Sequence, residues 1–148
     1  MNIYFACSIT GGRAYESIYQ EITAALLEDG HEVPTAHLAE SNVLALEKVV
    51  DARVVFERDV AWISTCDAVL AEVSVPSHGV GYEIGIALEQ GKTVLCLAKD
   101  GIPVSKMITG NPHPNLRVII YKEVSEGITE MRKQLEKKPV RSNHKLGK

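Results

Sequence analysis

Three cysteines, none in a CxxC pair, give the chain neither a disulfide framework nor a zinc site. Cys7, Cys66 and Cys96 fit a reducing compartment, and Cys7 and Cys96, set in strand-like runs, read as small buried apolar groups. Long apolar runs are missing too, which excludes a spanning helix, and Met1-Asn2-Ile3 enters a strand pattern without signal-peptide architecture. A cytoplasmic protein away from membranes is the expectation. Nor is there an excess of positive charge: 16 Lys and Arg stand against 19 Asp and Glu, for a formal charge of −3. That balance argues against binding polymeric nucleic acid, while a small anion remains within reach of a few local donors. The five histidines lack HExxH spacing, so no metal is expected. GxxxxGK[ST] and GxGxxG are both absent, which removes most support for triphosphate hydrolysis and dinucleotide binding. There is no sign of internal repeats.

What is present is an alternation of strands and helices in 148 residues, the size of one domain. Ile3 to Cys7 reads as a strand, Ser8 to Arg13 as a glycine turn, and Ile18, Ile22, Ala25 and Leu26 as one face of a helix stopped by Gly30. His31 to Thr35 predicts a second strand, at an edge because of Pro34. Between Ala36 and Val50 the pattern allows either a short helix capped by Ser41-Asn42 or a mobile segment. Asp51 caps a helix with Val54, Val55, Ala61 and Trp62 as core positions. Ala68 to Val73, Thr93 to Ala98 and Leu116 to Tyr121 predict three further strands, and a last helix runs from Ser125 through Leu135. The spacing predicts an α/β domain over 1–136, a five-stranded parallel sheet with helices on both faces in a flavodoxin-like or Rossmann-like order. The remaining 137–148 form a basic tail that reads as a solvated end.

In an open α/β sheet, ligands gather at the carboxyl ends of the strands. Three loops fall there: Ser8 to Arg13, Ser74 to Glu83, and Asp100 to Ser105. Each offers a hydroxyl and backbone N–H groups suited to an anion, though ordinary turn chemistry accounts for each loop taken alone. In Gly79-Val80-Gly81-Tyr82-Glu83-Ile84-Gly85, Glu83 sits near the first turn of a helix, where the dipole favours its ionised form. Acidic residues are common in first turns for that reason alone, so position by itself favours a structural Glu83. Asp59, on the preceding helix, would complete a carboxylate pair of the kind that retaining glycosyl chemistry uses if it faced Glu83. Periodicity alone puts it on a solvated face beside Arg58. His78 fits the pocket or a solvated loop, and Trp62 and Tyr82 read as packing residues.

Three motifs in order go further. Tyr4 to Arg13, Arg58-Asp59-Val60-Ala61-Trp62, and Ala71 to Gly85 together resemble the nucleoside 2-deoxyribosyltransferase superfamily, and within it the 2'-deoxynucleoside 5'-monophosphate N-hydrolases. The resemblance implies that Glu83 attacks the anomeric carbon of a deoxyribosyl group, that Asp59 assists the leaving base and then water, and that Tyr4 positions the nucleophile. It implies a nucleotide site built from Ser8, Ile9, Thr10, Gly11, Gly12, Arg13, Tyr19, His37, Ser77 and Gly79. It also implies a homodimer in which Ser105 reaches the 5'-phosphate in the neighbouring site, with no cofactor. Two other readings stand beside it: a deoxyribosyltransferase using free nucleosides, and a nucleotide-binding module without turnover.

Overall fold

β-prone runs form a parallel sheet in the computed structural model, which describes residues 1–137. β1 (Ile3–Ala6), β2 (Ala68–Glu72), β3 (Thr93–Lys99) and β4 (Leu116–Tyr121) lie side by side in that order, every neighbouring pair parallel. The basic tail falls outside the described residues except for Lys137. Side chains alternate across each strand, so the two sheet faces hold different sets. Ile3, Phe5, Leu70, Leu95 and Tyr121 pack against α1 (Glu16–Glu28) and α6 (Val124–Glu136). Tyr4, Ala6, Val69, Ala71 and Cys96 pack against α3 (Ala52–Thr65) and α4 (His78–Glu89). The short helices α2 (Val43–Lys48) and α5 (Lys106–Thr109) lie in connections. Gly30 and Gly91 follow α1 and α4 with φ of 78° and 71°, the left-handed geometry that ends a helix.

Among the described residues the sheet has four strands where five are expected, and Pro34 supplies the reason. Glu32 makes one parallel bridge to Asn2, with Glu32 N–H donating to Met1 and Ile3 N–H donating to Glu32 at 2.8 Å. The next rung needs an N–H from residue 34, and proline has none. The N–H of Phe5 turns instead to the Oγ1 of Thr35, at 2.9 Å. This stub borders β1 on the side away from β2. The chain therefore goes to one side of β1 and returns on the other, the flavodoxin-like order, and the connections after β1 and β2 lead to helices on opposite faces of the sheet at that switch point.

The segment from Ala36 to Val50 is ordered, as a 3-10 turn over Ala36–Ala39 followed by α2. Ser41 caps nothing there, and its hydroxyl donates to Glu16 at 2.6 Å. The core positions expected on α3 need correcting. Ile63 is its one fully buried residue, Val54 is 52% exposed, Ala61 is exposed, and Val55 and Trp62 are half-buried. The first turns of α3 stand over a cleft rather than over the sheet.

Thr35 is fully buried and carries the rung that Pro34 cannot continue. Thr35→Val, which keeps the shape and strands the Phe5 N–H, is expected to destabilise the fold by roughly 1–3 kcal/mol in urea or thermal unfolding. A loss below about 0.3 kcal/mol would show that water replaces the hydroxyl.

Candidate active site

Tyr4 and Glu83 meet where β1 passes under α4. Alternation turns Tyr4 to the α3/α4 face, where it is fully buried, and its O–H donates to Glu83 Oε1 at 2.7 Å. Glu83 is not in the first turn of its helix. Ser77 is the N-cap and α4 begins at His78, so Glu83 lies in the second turn, beyond the amides left unpaired at the helix start. Its ionisation is therefore governed by burial, which pushes the carboxyl up to about 7; the Tyr4 hydrogen bond opposes this, nearby Asp59 adds to it and Arg58 opposes it. Burial and the adjacent Glu83 raise the phenol of Tyr4 above its ordinary range, so it stays a donor. A buried carboxyl pushed toward neutrality and held by a neighbouring donor has the character of a functional-site candidate.

Glu83 lines a pocket of about 390 Å³ with Asp59, Ile9, Thr10, Ser77 and Gly79 among its walls. The solvated face that periodicity favours for Asp59 does not occur, since its side chain is only 16% exposed. Burial raises the Asp59 carboxyl above its usual range, against Arg58, whose Nε donates to Asp59 Oδ1 at 2.9 Å. Glu47, Arg58, Val55 and Leu38 also line the pocket, and none of them is among the expected site residues. In the sequence Arg58 stands in the second motif without a role of its own, as a charge beside Asp59, and Glu47 belongs to the segment with the weakest periodicity.

The other expected site residues lie around this pocket rather than in its walls. Gly11 is packed so tightly that an added Cβ would fall 2.5 Å from Ser8 Oγ and 2.6 Å from the Pro76 carbonyl, so the loops after β1 and β2 lock together only through a glycine. Gly12 has φ of 118°. The hydroxyls of Ser8 and Tyr19 are buried without a hydrogen-bond partner among the described residues, and Tyr19 packs edge-on to Phe5 in the core. Arg13 turns its guanidinium onto the Leu38 and Glu40 carbonyls at 3.1 and 2.9 Å and onto Glu16 at 3.1 Å, tying the segment after the stub to the first loop. His37 sits against Glu47 at 3.1 Å and edge-on to Trp62. Ser105 lies away from Glu83. It caps α5 and lines, with Ser77 and the exposed His78, an adjoining pocket of about 530 Å³.

Comparison with known proteins now bears on this arrangement. The family described as nucleoside 2-deoxyribosyltransferase matches residues 3–139. The chain belongs to that family. Among its relatives, the 5-hydroxymethyl-dUMP N-hydrolase of Danio rerio is 40% identical over 127 residues, 83% of this chain and 88% of that protein. A protein of Thermofilum pendens, provisionally named 2'-deoxynucleoside 5'-phosphate N-hydrolase 1, is 39% identical over 133 residues, 88% of this chain and 92% of that one. The solved CMP N-glycosidase BcmB of Clostridium botulinum shares the fold at a TM-score of 0.67 and 22% identity, covering 89% of this chain and 99% of that one. Membership makes the chain an enzyme of the N-hydrolase and N-glycosidase kind. Among the described residues, no helix is long and apolar enough to cross a membrane.

Glu83 gives a stability test with a definite sign. Its carboxyl rises from an ordinary 4.5 to about 7 in the folded chain, so between those values the native state holds more protons than the unfolded one. Its contribution is fully present below about pH 4.5 and is lost as pH rises through about 7, at most roughly 3 kcal/mol. Glu83→Gln removes this dependence, so the variant should gain in melting temperature relative to wild type on going from pH 5 to pH 8. A constant difference across that range would refute the buried-carboxylate account.

Proposed function

We propose that this enzyme hydrolyses the N-glycosidic bond of 2'-deoxynucleoside 5'-monophosphates, releasing free base and 2-deoxyribose 5-phosphate. The observation that carries the reading is the 2.7 Å hydrogen bond from Tyr4 to Glu83 in a pocket that Asp59 shares. The names of the relatives, which refer to deoxynucleoside 5'-phosphates, support the substrate class. The ionised Oε2 of Glu83 attacks C1' while Tyr4 holds Oε1, the bond from C1' to the base nitrogen breaks, and the departing base takes a proton from Asp59. Water then attacks C1', gives its proton to the Asp59 carboxylate and releases Glu83. Burial shifts the Asp59 carboxyl toward the protonated form that this step requires, against the pull of Arg58. A deoxyribosyl centre lacks the electron-withdrawing 2'-hydroxyl, so two carboxyls suffice and the steps require no metal or cofactor.

In this reading the 5'-phosphate lies at the start of α4, against Ser77, the Gly79 backbone and the Ser8 to Arg13 loop. A homodimer completes it, with Ser105 of each chain serving its partner. Met107, 83% exposed two residues after Ser105, supports an interface there. The domain spans residues 1–136 and acts in the cytoplasm.

Chromatography of products from each deoxynucleoside monophosphate, its ribonucleotide and its free deoxynucleoside, with and without adenine, tests the reading. Base and 2-deoxyribose 5-phosphate from the monophosphate, lost in Glu83→Ala, are expected. A new nucleoside formed with adenine would make the enzyme a transferase, and no product from any substrate would overturn catalysis at Glu83. Tyr4→Phe keeps the ring and removes one hydrogen bond to a charged group, worth about 1.5–3 kcal/mol. A roughly 10- to 100-fold fall in kcat/KM is expected, with the acidic limb of its pH profile moved upward. An unmoved limb would separate Tyr4 from the ionisation of Glu83.

A further inference from the structure

Adjacent residues on a helix point about 100° apart, so Arg58 and Asp59 do not meet by helix geometry alone. They meet because Arg58 is folded across α3 and held on three sides. Its guanidinium carbon lies 4.9 Å from the centre of the Trp62 ring, one turn further along. Its two terminal nitrogens grip both oxygens of Glu47 from α2, at 3.1 and 3.2 Å. Its Nε is thereby left to Asp59, at 2.9 Å. Glu47 is itself fixed by His37 Nε2 at 3.1 Å, and its side chain is only 15% exposed. An ion pair of this kind is worth little on an open surface, but this one is two-pronged, mostly enclosed and forms part of the pocket wall.

The charges in that wall are unequal. Glu47, Asp59 and Glu83 are carboxyls, and among the described residues that line the pocket Arg58 is the one cation. One guanidinium is divided between Glu47 and Asp59, so whatever strengthens its hold on one weakens its hold on the other.

We propose that Arg58 and Glu47 are positioning residues of the reaction: Arg58 fixes the Asp59 carboxyl in the pocket, and Glu47 fixes Arg58 and draws part of its charge away from Asp59. The proposal rests on the reading of Asp59 as the group that passes a proton to the base and takes one from water. It adds how Asp59 is kept able to do both. With Arg58 wholly on Asp59 the carboxyl would give up its proton too early; with Arg58 absent it would be turned loose and too reluctant to lose it. The groups that face Asp59 are Arg58 on its own helix, Glu47 on α2, His37 on the 3-10 turn, Glu83 on α4 and Tyr4 on β1. Glu47 adds to the proton affinity of Asp59, whereas Arg58 and His37 lower it. The two substitutions therefore act with opposite sign.

The test is carboxyl carbon NMR of the full chain, following the Asp59 titration midpoint in wild type, Arg58→Met and Glu47→Gln. The midpoint should rise by about one pH unit in Arg58→Met and fall by a similar amount in Glu47→Gln. Arg58→Lys, which keeps the charge and loses the fork, should lie between wild type and Arg58→Met, and it serves as the readout if Arg58→Met does not fold. With deoxynucleoside 5'-monophosphate as substrate, kcat should fall roughly 10-fold or more in Arg58→Met while KM stays within about threefold. Midpoints that stay put or move in the same direction would overturn the proposal, and so would equal losses of kcat at every pH with no movement of Asp59. Asp59→Asn separates this from the catalytic reading. If Asp59→Asn turns over normally, Asp59 does not handle the proton, while the NMR midpoints still decide whether Arg58 and Glu47 govern it.

Discussion

A carboxylate turned inward from the second turn of a helix has no free helix amides to meet it, and that constraint shapes everything around Glu83. The donor has to come from another element, and β1 supplies it through the O–H of Tyr4 at 2.7 Å. For Tyr4 to arrive there, β1 must keep its register with β2, where Tyr4 lies opposite Val69, and α4 must start at Ser77. Both conditions are met by parts with no chemistry of their own. The parallel ladder sets which face Tyr4 occupies, and Ser77 accepts from the Val80 N–H and marks where α4 begins.

The burial that raises the Glu83 carboxyl makes the site costly, and the fold offsets this unevenly. Glu83 has one neutral donor, while Asp59 has a guanidinium. Two carboxyls in one pocket under such different protection hold their protons unequally, and Glu83, with only a neutral donor, is pushed up to about 7. The segment from Ala36 to Val50 is part of that protection. Arg13 ties its beginning to the first loop through the Leu38 and Glu40 carbonyls, and Glu47 ties its end to α3 through Arg58.

Much of the fold was legible because strands buried on both faces leave little choice of reading. Ala68 to Glu72 and Thr93 to Ala98 are apolar almost throughout, and glycines at 30 and 91 mark helix ends for a reason of backbone conformation alone. The missing strand was half legible. Pro34 signalled an edge, but that it would stop the ladder after a single bridge depended on which rung needed the absent N–H, and register is not written in one strand. On α3, a helix with apolar residues on more than one side gives no unique inward face. The cleft beneath its first turns decided the matter, and that cleft exists only once α2 and α4 are in place.

The site was legible in its parts and illegible in its connections. Motif resemblance pointed to Asp59, to Glu83 and to Tyr4 as the group that positions Glu83. It could not say that Glu83 would stand beyond the unpaired amides of the helix start, because that follows from where α4 begins, and a run with glycines at 79, 81 and 85 does not announce its first residue. Arg58 is the sharper case. Next to Asp59 in the sequence it argued for a wet helix face, since two adjacent charges are usually solvated. In the folded chain the adjacency has the opposite meaning, because Glu47, distant from α3 in periodicity and close to it in space, draws Arg58 inward and Asp59 with it. A charge pair reads as surface until a third partner encloses it, and that third partner is a tertiary contact.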